Sequence, residues 1–201
     1  MIKIFDFFSK LKTGEATSKG ELLQSILSEI KDDPLVGYAG FATKKDLHRY
    51  LEFAIFDKPT KNISYVGSKI DIDLINKTIS KCKKYLPLRN FYLFIFPTFN
   101  KFVFEKMGGI TGYTPWEGVV FIFIHPALSI KNIKRGIPQT LSHEYCHAVH
   151  LKYFDSQTLF DALVFEGLAE HFRAHITKIK LSSQIKLVSL RSLPQGHCRK
   201  V

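Results

Sequence analysis

The sequence predicts an α+β fold, in which a small mixed β-sheet is preceded by a helical region and followed by two helices rich in histidine and glutamate. Three observations predict it. Helical periodicity dominates the first 87 residues, and a block of apolar runs bounded by proline and glycine follows. The segments His143-Glu144-Tyr145-Cys146-His147 and Glu166-Gly167-Leu168-Ala169-Glu170 then lie in stretches that suit helices.

The N-terminal part of the chain carries several amphipathic patterns. Apolar residues recur at helical spacing over 21–31, 43–56 and 71–86, and Thr43 and Asp71 are residues of the kind that cap helix N-termini. An apolar pattern at the very start could also form a short surface-seeking helix, which we expect to pack onto the domain rather than onto a membrane surface. Its residues are Ile4, Phe5, Phe7, Phe8 and Leu11.

Three short apolar runs predict the strands of the sheet. Residues 91–96 and 119–124 are rich in aromatic and branched side chains and lead into prolines, and 101–106 is a third candidate. Between the last two runs, several glycines and Pro115 predict an irregular loop. The sheet should therefore be small and apolar.

Two helices are expected after the sheet. The first should start near residue 136 with Pro138 in its first turn, where a missing N–H does little harm. Asp155 or Ser156 could cap the second, which should run to about residue 175. A further helix is expected over 177–190. For the domain organisation, we expect a helical region at 1–60 packed on a main domain at 61–190, followed by a tail at 191–201.

Composition limits the classes of function. The net charge is +11, from 29 Lys and Arg against 18 Asp and Glu, yet the basic residues are scattered and lack the aromatic pattern of nucleic-acid-binding modules. Nucleic acid is therefore not the expected partner. Cys82, Cys146 and Cys198 lie far apart, which suits a reducing cytoplasm. No secretion signal is present, and no apolar run approaches the roughly 20 residues of a transmembrane helix, so we expect a cytoplasmic protein.

The pattern His143-Glu144-x-x-His147 predicts half of a metal site. Side chains four residues apart lie on the same face of a helix, so both imidazoles can reach one ion. Glu144 lies at the flank of that face, where it can act as a general base without being a ligand. The pattern alone also arises by chance on exposed helices, and two ligands do not hold a catalytic metal.

The second helix is predicted to supply the third metal ligand that the first helix lacks. Glu166 follows His147 at a distance that allows a turn and a returning helix, and it is predicted to be the third ligand of a zinc ion, Zn2+. Zinc would lower the pKa of a bound water to about 7. Glu170, one turn later on the same face, is expected to accept the other ring N–H of a ligating histidine and fix its tautomer. With Glu144 as base, the expected reaction is hydrolysis of a peptide bond.

Other histidines fit the metal pattern less well. A three-histidine site would need glycine at the position of His150 and histidine at that of Tyr153, so His150 is interpreted as a pocket-lining or surface residue. His171 and His175 are also four residues apart but have no adjacent glutamate, and they are expected on the helix surface. Cys146 points away from the ligand face and is expected in the core.

These residues resemble those of the gluzincin class of zinc peptidases, and more closely the YjaZ-like family of bacterial zinc-dependent proteases that were predicted from sequence. The likeness spans roughly residues 71–172. It rests on four segments, Gly109 to Pro115, Val119 to Pro126, His143 to His147 and Glu166 to Phe172. The resemblance implies a zincin-like fold and a zinc metallopeptidase that acts on a peptide or protein.

The resemblance also implies two finer points. The strand before the active-site helix runs along the substrate in such peptidases, so Val119, Val120, Phe121 and Ile122 are expected to bind an extended peptide by edge pairing. Family members continue with helical sequence where this chain has residues 191–201, which suggests a truncated or frameshifted chain. The alternative function is therefore a non-catalytic or truncated zinc-binding relative with a regulatory role. No residue is assigned to stabilise the oxyanion; Tyr113, Tyr153 and His197 are the candidates.

Overall fold

A computed structural model describes residues 1–9, 19–31, 41, 43–56, 70–153 and 158–180. Within these ranges, four strands and six α-helices combine helices with a small mixed sheet, so the predicted α+β class is confirmed. In chain order the elements are β1 (Ile2–Asp6), α1 (Lys19–Lys31), α2 (Lys44–Ile55), α3 (Ile72–Tyr85), β2 (Phe91–Pro97), α4 (Lys101–Lys106), β3 (Ile110–Trp116), β4 (Val119–Ile124), α5 (Ile130–His150) and α6 (Leu159–Thr177).

The sheet has the strand order β1-β2-β4-β3. Strand β2 pairs in parallel with β1 and with β4, and Leu93 stands opposite Ile4 on one side and Val120 on the other. Strand β3 returns antiparallel to β4, with Gly112 opposite Ile122. Among the described strands, β4 therefore has neighbours on both sides, whereas β3 lies at the edge.

Helices cover both faces of the sheet, which explains why every residue of β2 and β4 is buried. One face, with Leu93 and Val120, packs against α3 and α5. The other, with Phe94 and Phe121, packs against α1 and α2. Strands buried on both sides read as continuous apolar runs, which is why these two were recognisable in the sequence.

The start of the chain corrects the sequence interpretation. Residues 2–6 form a strand rather than a surface-seeking helix, because alternate side chains find partners in the sheet. The ring of Phe5 stacks on Phe94 at 4.6 Å between centroids, and that of Phe7 on Phe96 at 5.3 Å. Phe8 is fully buried in the opposite layer. Leu11 lies outside the described residues.

Two predictions between β2 and β4 were also wrong. Residues 101–106 form the short helix α4, whose N-terminus is capped by Asn100, instead of a strand. Residues 110–116, predicted to be a loop, form strand β3. Two of the glycines lie in the turn that precedes the strand, where Gly108 and Gly109 adopt positive φ angles of 72° and 81°.

The helices that carry the histidines and glutamates begin at other residues than predicted. Helix α5 begins at Ile130 with Ser129 as its cap, so Pro138 lies inside the helix and not in its first turn. Helix α6 is capped by Thr158, which forms a reciprocal capping box with Asp161. The predicted caps at 155 and 156 lie outside the described residues.

The remaining helix predictions have mixed outcomes. The three helices over 19–31, 44–55 and 72–85 are confirmed, and Thr43 and Asp71 cap the second and third of them. Residues 178–180 are not helical, and most of the helix predicted over 177–190 lies outside the described ranges. No helix in the described part of the chain combines the length and apolarity needed to cross a membrane.

Helix α5 is anchored to α3 by one buried hydroxyl. Tyr145 is fully buried, and its hydroxyl donates a hydrogen bond of 2.9 Å to the carbonyl oxygen of Leu86 at the end of α3.

We expect Tyr145→Phe to lower the free energy of unfolding by about 1 kcal/mol, since the carbonyl loses its partner in the interior. Urea denaturation measures the change. The matched control is Tyr85→Phe on the exposed end of α3, which should change stability little; equal losses in the two variants would contradict the anchoring role.

Candidate metal centre

Helices α5 and α6 pack against each other in opposite directions and bring the predicted ligands together. The Nε2 atoms of His143 and His147 are 3.0 Å apart. The Glu166 carboxylate stands across from both, with Oε2 at 3.3 Å from His143 Nε2 and Oε1 at 3.5 Å from His147 Nε2. The sequence spacing therefore selected three side chains that meet in space, although 19 positions separate His147 from Glu166.

The donor set fits a zinc ion. One ligand atom from each of His143, His147 and Glu166 lies within 4.8 Å of the other two. Tetrahedral zinc with bonds of about 2.0–2.1 Å places its ligand atoms about 3.3–3.4 Å apart, close to the separations seen here. Two imidazoles and one carboxylate are also the donor types that zinc takes in hydrolytic sites. One groove is lined by all three groups, and a second is lined by His143, so there is space for water beside the donor set.

Behind His143 lies a chain of hydrogen-bonded polar groups, of which Arg173 is buried and Glu170 and Gln139 are partly buried. Its Nδ1 lies 3.2 Å from Oε1 of Glu170, the contact that the sequence predicted for that glutamate. The other oxygen of Glu170 accepts hydrogen bonds from Nε and Nη2 of Arg173, each at 2.8 Å. Nη1 of Arg173 in turn donates to Oε1 of Gln139 at 3.0 Å. This network fixes Glu170 between the histidine and the buried guanidinium.

The sequence interpretation missed Arg173 and Gln139. Arg173 follows Glu170 by three residues, a spacing at which an acid and a base meet on one helix face, and this signal was available. Gln139 gave no signal of its own, because its contact with Arg173 joins two helices that are far apart in sequence.

Different contacts orient the side chains of His143 and His147. His147 is 6% exposed, and its Nδ1 is a buried polar atom that has no hydrogen-bond partner within the described part of the chain. The ring of Phe165 lies against it, with centroids 4.2 Å apart. Packing therefore orients His147, whereas a carboxylate orients His143.

Glu144 is buried against the edge strand of the sheet. Its side chain is 8% exposed, and Oε2 accepts a hydrogen bond of 2.8 Å from Oγ1 of Thr114. That hydroxyl also lies 3.1 Å from the backbone oxygen of Glu144. A Cβ atom at Gly112 would lie only 2.6 Å from Oε1, so the carboxylate can occupy this position only beside a glycine.

An irregularity in β3 directs the side chain of Thr114 towards Glu144. The register with β4 shifts between Tyr113 and Trp116, and Pro115 is buried inside the irregular stretch. Such bulges redirect side chains next to functional sites. Because the sequence interpretation treated this stretch as a loop, it could not place Thr114 or Gly112 beside the glutamate.

Burial and neighbouring charges shift the pKa values of three groups in the centre, Glu144, His143 and Glu166. Burial raises the pKa of Glu144, while His143 and the Thr114 hydroxyl oppose the shift only partly. For His143, burial alone would lower the pKa, but the hydrogen bond with Glu166 and the nearby carboxylates outweigh it and raise the pKa. The hydrogen bonds with His143 and His147 hold the pKa of Glu166 far below its usual value. Glu166 is therefore anionic and ready to bind a cation.

Comparison with known proteins places this site in a family. The family model described as Predicted Zn-dependent protease (DUF2268) matches residues 72–179, more than half of the chain. The chain belongs to this family. Searches of curated proteins and of solved structures gave no match. The matched range contains β2 to β4, α5 and α6, and thus every residue of the centre described above.

Membership in the family of predicted Zn-dependent proteases supports zinc as the metal and a peptide as the substrate at a general level. It also agrees with the geometry, since the three groups able to hold a metal lie inside the matched range. The individual roles of these residues do not follow from the family match and are argued below.

The structure corrects the prediction of which strand could pair with a peptide substrate. Val119, Val120, Phe121 and Ile122 belong to β4, which is buried and hydrogen-bonded to β2 and β3 on its two sides. Edge pairing by this strand is therefore wrong, because its backbone groups already have partners. The edge strand beside the histidines is β3.

The other residues considered from the sequence are not among the described groups that could hold a metal ion. Nδ1 of His150 lies 2.9 Å from the backbone oxygen of Cys146, and the Cys146 thiol is buried, as expected, with its pKa raised to about 12 by burial. His171 is exposed, and the His175 ring packs against Tyr85. Tyr153 is 73% exposed. His197 lies outside the described residues.

Zinc binding tests the ligand set. We expect the purified chain to bind one zinc ion and His143→Ala/His147→Ala to lose it, because one carboxylate cannot hold the metal alone. Elemental analysis after dialysis and competition with a chromophoric chelator give the stoichiometry and affinity. The matched control is His171→Ala/His175→Ala, which removes a histidine pair of the same spacing from α6 and should keep the metal. Retention of stoichiometric zinc by the first variant would refute the assignment.

Proposed function

We propose that this chain is a zinc-dependent peptidase of the gluzincin, YjaZ-like type, with a zincin-like active-site helix pair. His143, His147 and Glu166 hold the metal, Glu144 is the general base and Glu170 fixes His143. The observation that carries the proposal is the meeting of three ligand atoms from α5 and α6 beside a buried glutamate that is not one of the ligands. The family match supports the same chemistry.

A bound zinc ion supplies a water of lowered pKa and polarises the substrate carbonyl. Glu144 moves the proton. Its Oε2 is engaged by Thr114, whereas Oε1 has no hydrogen-bond partner among the described residues and lies against Gly112, which lines the grooves on both sides of the centre. We assign to Oε1 the transfer of a proton from the attacking water to the leaving amine, as the carbon–oxygen bond forms and the carbon–nitrogen bond breaks.

The substrate backbone is proposed to lie along β3. Among the described strands only β4 pairs with it, so the other edge can accept an extended peptide next to Glu144. The groove on the Glu166 side has a volume of about 340 Å³, and Met107, Tyr113, Leu151 and Phe165 give it apolar and aromatic walls. This composition suits a bulky apolar side chain.

The alternative is a zinc-binding relative with a regulatory role and no turnover. It shares the metal centre with the peptidase but has no need of a general base. Glu144 therefore separates the two functions, and its burial beside Thr114 and Gly112 favours the peptidase because placing a carboxylate there costs desolvation.

Replacement of the base is the direct test. We expect Glu144→Gln to lower hydrolysis of fluorescein-labelled casein and of a quenched peptide library by about 10²- to 10⁴-fold, the usual contribution of general base catalysis. Zinc content should be unchanged, because Glu144 is not a ligand. Hydrolysis at the native rate by the variant would exclude the role of Glu144. If the native zinc-loaded chain cleaves neither probe, the regulatory alternative is favoured.

The Thr114 hydroxyl offers a finer test. We expect Thr114→Val to lower kcat/KM by about 10- to 100-fold, since a hydrogen bond to a charged group contributes about 1.5–3 kcal/mol. The loss should appear mainly in kcat, with zinc affinity unchanged. Thr114→Ser keeps the hydroxyl and should restore most of the activity. A serine variant as impaired as the valine variant would show that the methyl group matters rather than the hydrogen bond.

A further inference from the structure

A second groove adjoins the metal centre, between α3, the first half of α5 and the end of α6. Its volume is about 800 Å³, larger than the grooves of about 420 and 340 Å³ that contain His143 and Glu144. We call it the basic groove, after the four cationic side chains that line it: Lys77, Lys81, Lys134 and Arg135.

The cationic side chains of the basic groove outnumber the acidic side chains near them. Lys134 forms an ion pair of 3.2 Å with Asp71. Among the described residues, Lys77, Lys81 and Arg135 form no ion pair, and Asp73 is the one acidic residue in the lining. Three cations that share a groove repel one another, so an anionic ligand would be attracted there.

The basic groove adjoins the candidate active site. Gln139 and Ile179 line both the basic groove and the groove of about 420 Å³ that contains His143 and Glu144. Gln139 is held in place by its hydrogen bond from Arg173. A peptide that follows the start of β3 past Glu144 therefore reaches the basic groove across these two side chains.

Helix geometry gives the distance between the basic groove and the candidate active site. Arg135 precedes His143 by eight residues on α5, which corresponds to about 12 Å along the helix axis. An extended peptide advances about 3.3 Å per residue, so this span takes about four residues. Acidic side chains would meet the basic groove about three to five residues from the scissile bond.

Two other occupants fit less well. None of the described residues that line the groove is aromatic, so a nucleic acid would have charge contacts there but no stacking platform. The C-terminal residues 181–201 carry Lys186, Arg191, Arg199 and Lys200 and no acidic residue, so their charge has the same sign as that of the groove.

We propose that the basic groove is a substrate-specificity site for acidic peptides, which binds Asp or Glu side chains on one side of the scissile bond. This inference rests on the proposed peptidase function for its placement along the substrate. Lys77, Lys81 and Arg135 contact the acidic side chains, and Gln139 lies on the path between them and the scissile bond.

Peptide binding tests the proposal. The full chain carrying Glu144→Gln, loaded with zinc, is titrated by fluorescence anisotropy with dye-labelled decapeptides that have an apolar centre. One peptide has Glu at its four C-terminal positions, one has Glu at its four N-terminal positions, and each has a Gln counterpart. At least one Glu peptide should bind about tenfold more tightly than its counterpart at low salt, with the advantage reduced at high salt.

A pair of matched variants locates the effect. Lys77→Gln/Lys81→Gln/Arg135→Gln should remove the preference for Glu. Lys44→Gln/Lys45→Gln/Arg49→Gln removes the same charge from exposed positions on α2, on the other side of the sheet, and should retain it. Equal affinity for Glu and Gln peptides, or equal losses in both variants, would overturn the proposal. The Glu and Gln peptides decide the matter even if a triple variant fails to fold.

The remaining outcomes separate this inference from the peptidase itself. A labelled oligonucleotide of twelve nucleotides that binds the basic groove more tightly than either Glu peptide would overturn the acidic-peptide assignment. If native zinc-loaded chain cleaves casein but shows no preference for Glu, the groove proposal fails and the peptidase stands. If a Glu peptide binds through the basic groove but nothing is cleaved, the binding site stands and the peptidase fails.

Discussion

The antiparallel packing of α6 on α5 is the constraint on which the candidate centre depends. His143 and His147 share one face of α5 by helical periodicity, but two imidazoles cannot complete a hydrolytic zinc site. The third group, Glu166, reaches them only because α6 returns across that face, and the same packing places Glu170 behind His143. On the opposite side of α5, Leu141, Tyr145 and Ala148 are buried against the sheet and α3, so the helix cannot rotate without losing its core.

The polar groups of the centre are supported from two different directions. Glu144 rests on the edge strand, where Thr114 donates a hydrogen bond to it and Gly112 leaves room for it. Glu170 rests on Arg173, which lies on its own helix and is 8% exposed. Removing a carboxylate from water is costly unless it is hydrogen-bonded or paired, and both the buried Glu144 and the partly buried Glu170 have such a partner. Glu144 and Glu170 can therefore be altered independently of each other.

The surroundings of the centre are asymmetric. On one side, Tyr113 and Phe165 line an apolar groove; on the other, Gln139 leads to cations on α3 and α5 that form no ion pair with another described residue. A net charge of +11 spread over the whole chain would not by itself indicate a ligand. The structure shows where part of this charge lies, because three of these cations line one groove that adjoins the centre. The proposed specificity for acidic peptides follows from this placement and not from the total charge.

Local patterns in the sequence determined five of the six described α-helices, the two buried strands and the set of residues that converge, because capping, periodicity and continuous apolar runs depend only on near neighbours in the chain. The role of His143, His147 and Glu166 as ligands stays a prediction. Only the tertiary structure decided that residues 2–6 and 110–116 are strands and that β3 rather than β4 lies at the edge. Thr114 and Gln139 likewise act through partners 30 or more residues away, and contacts across such distances leave no local pattern in the sequence.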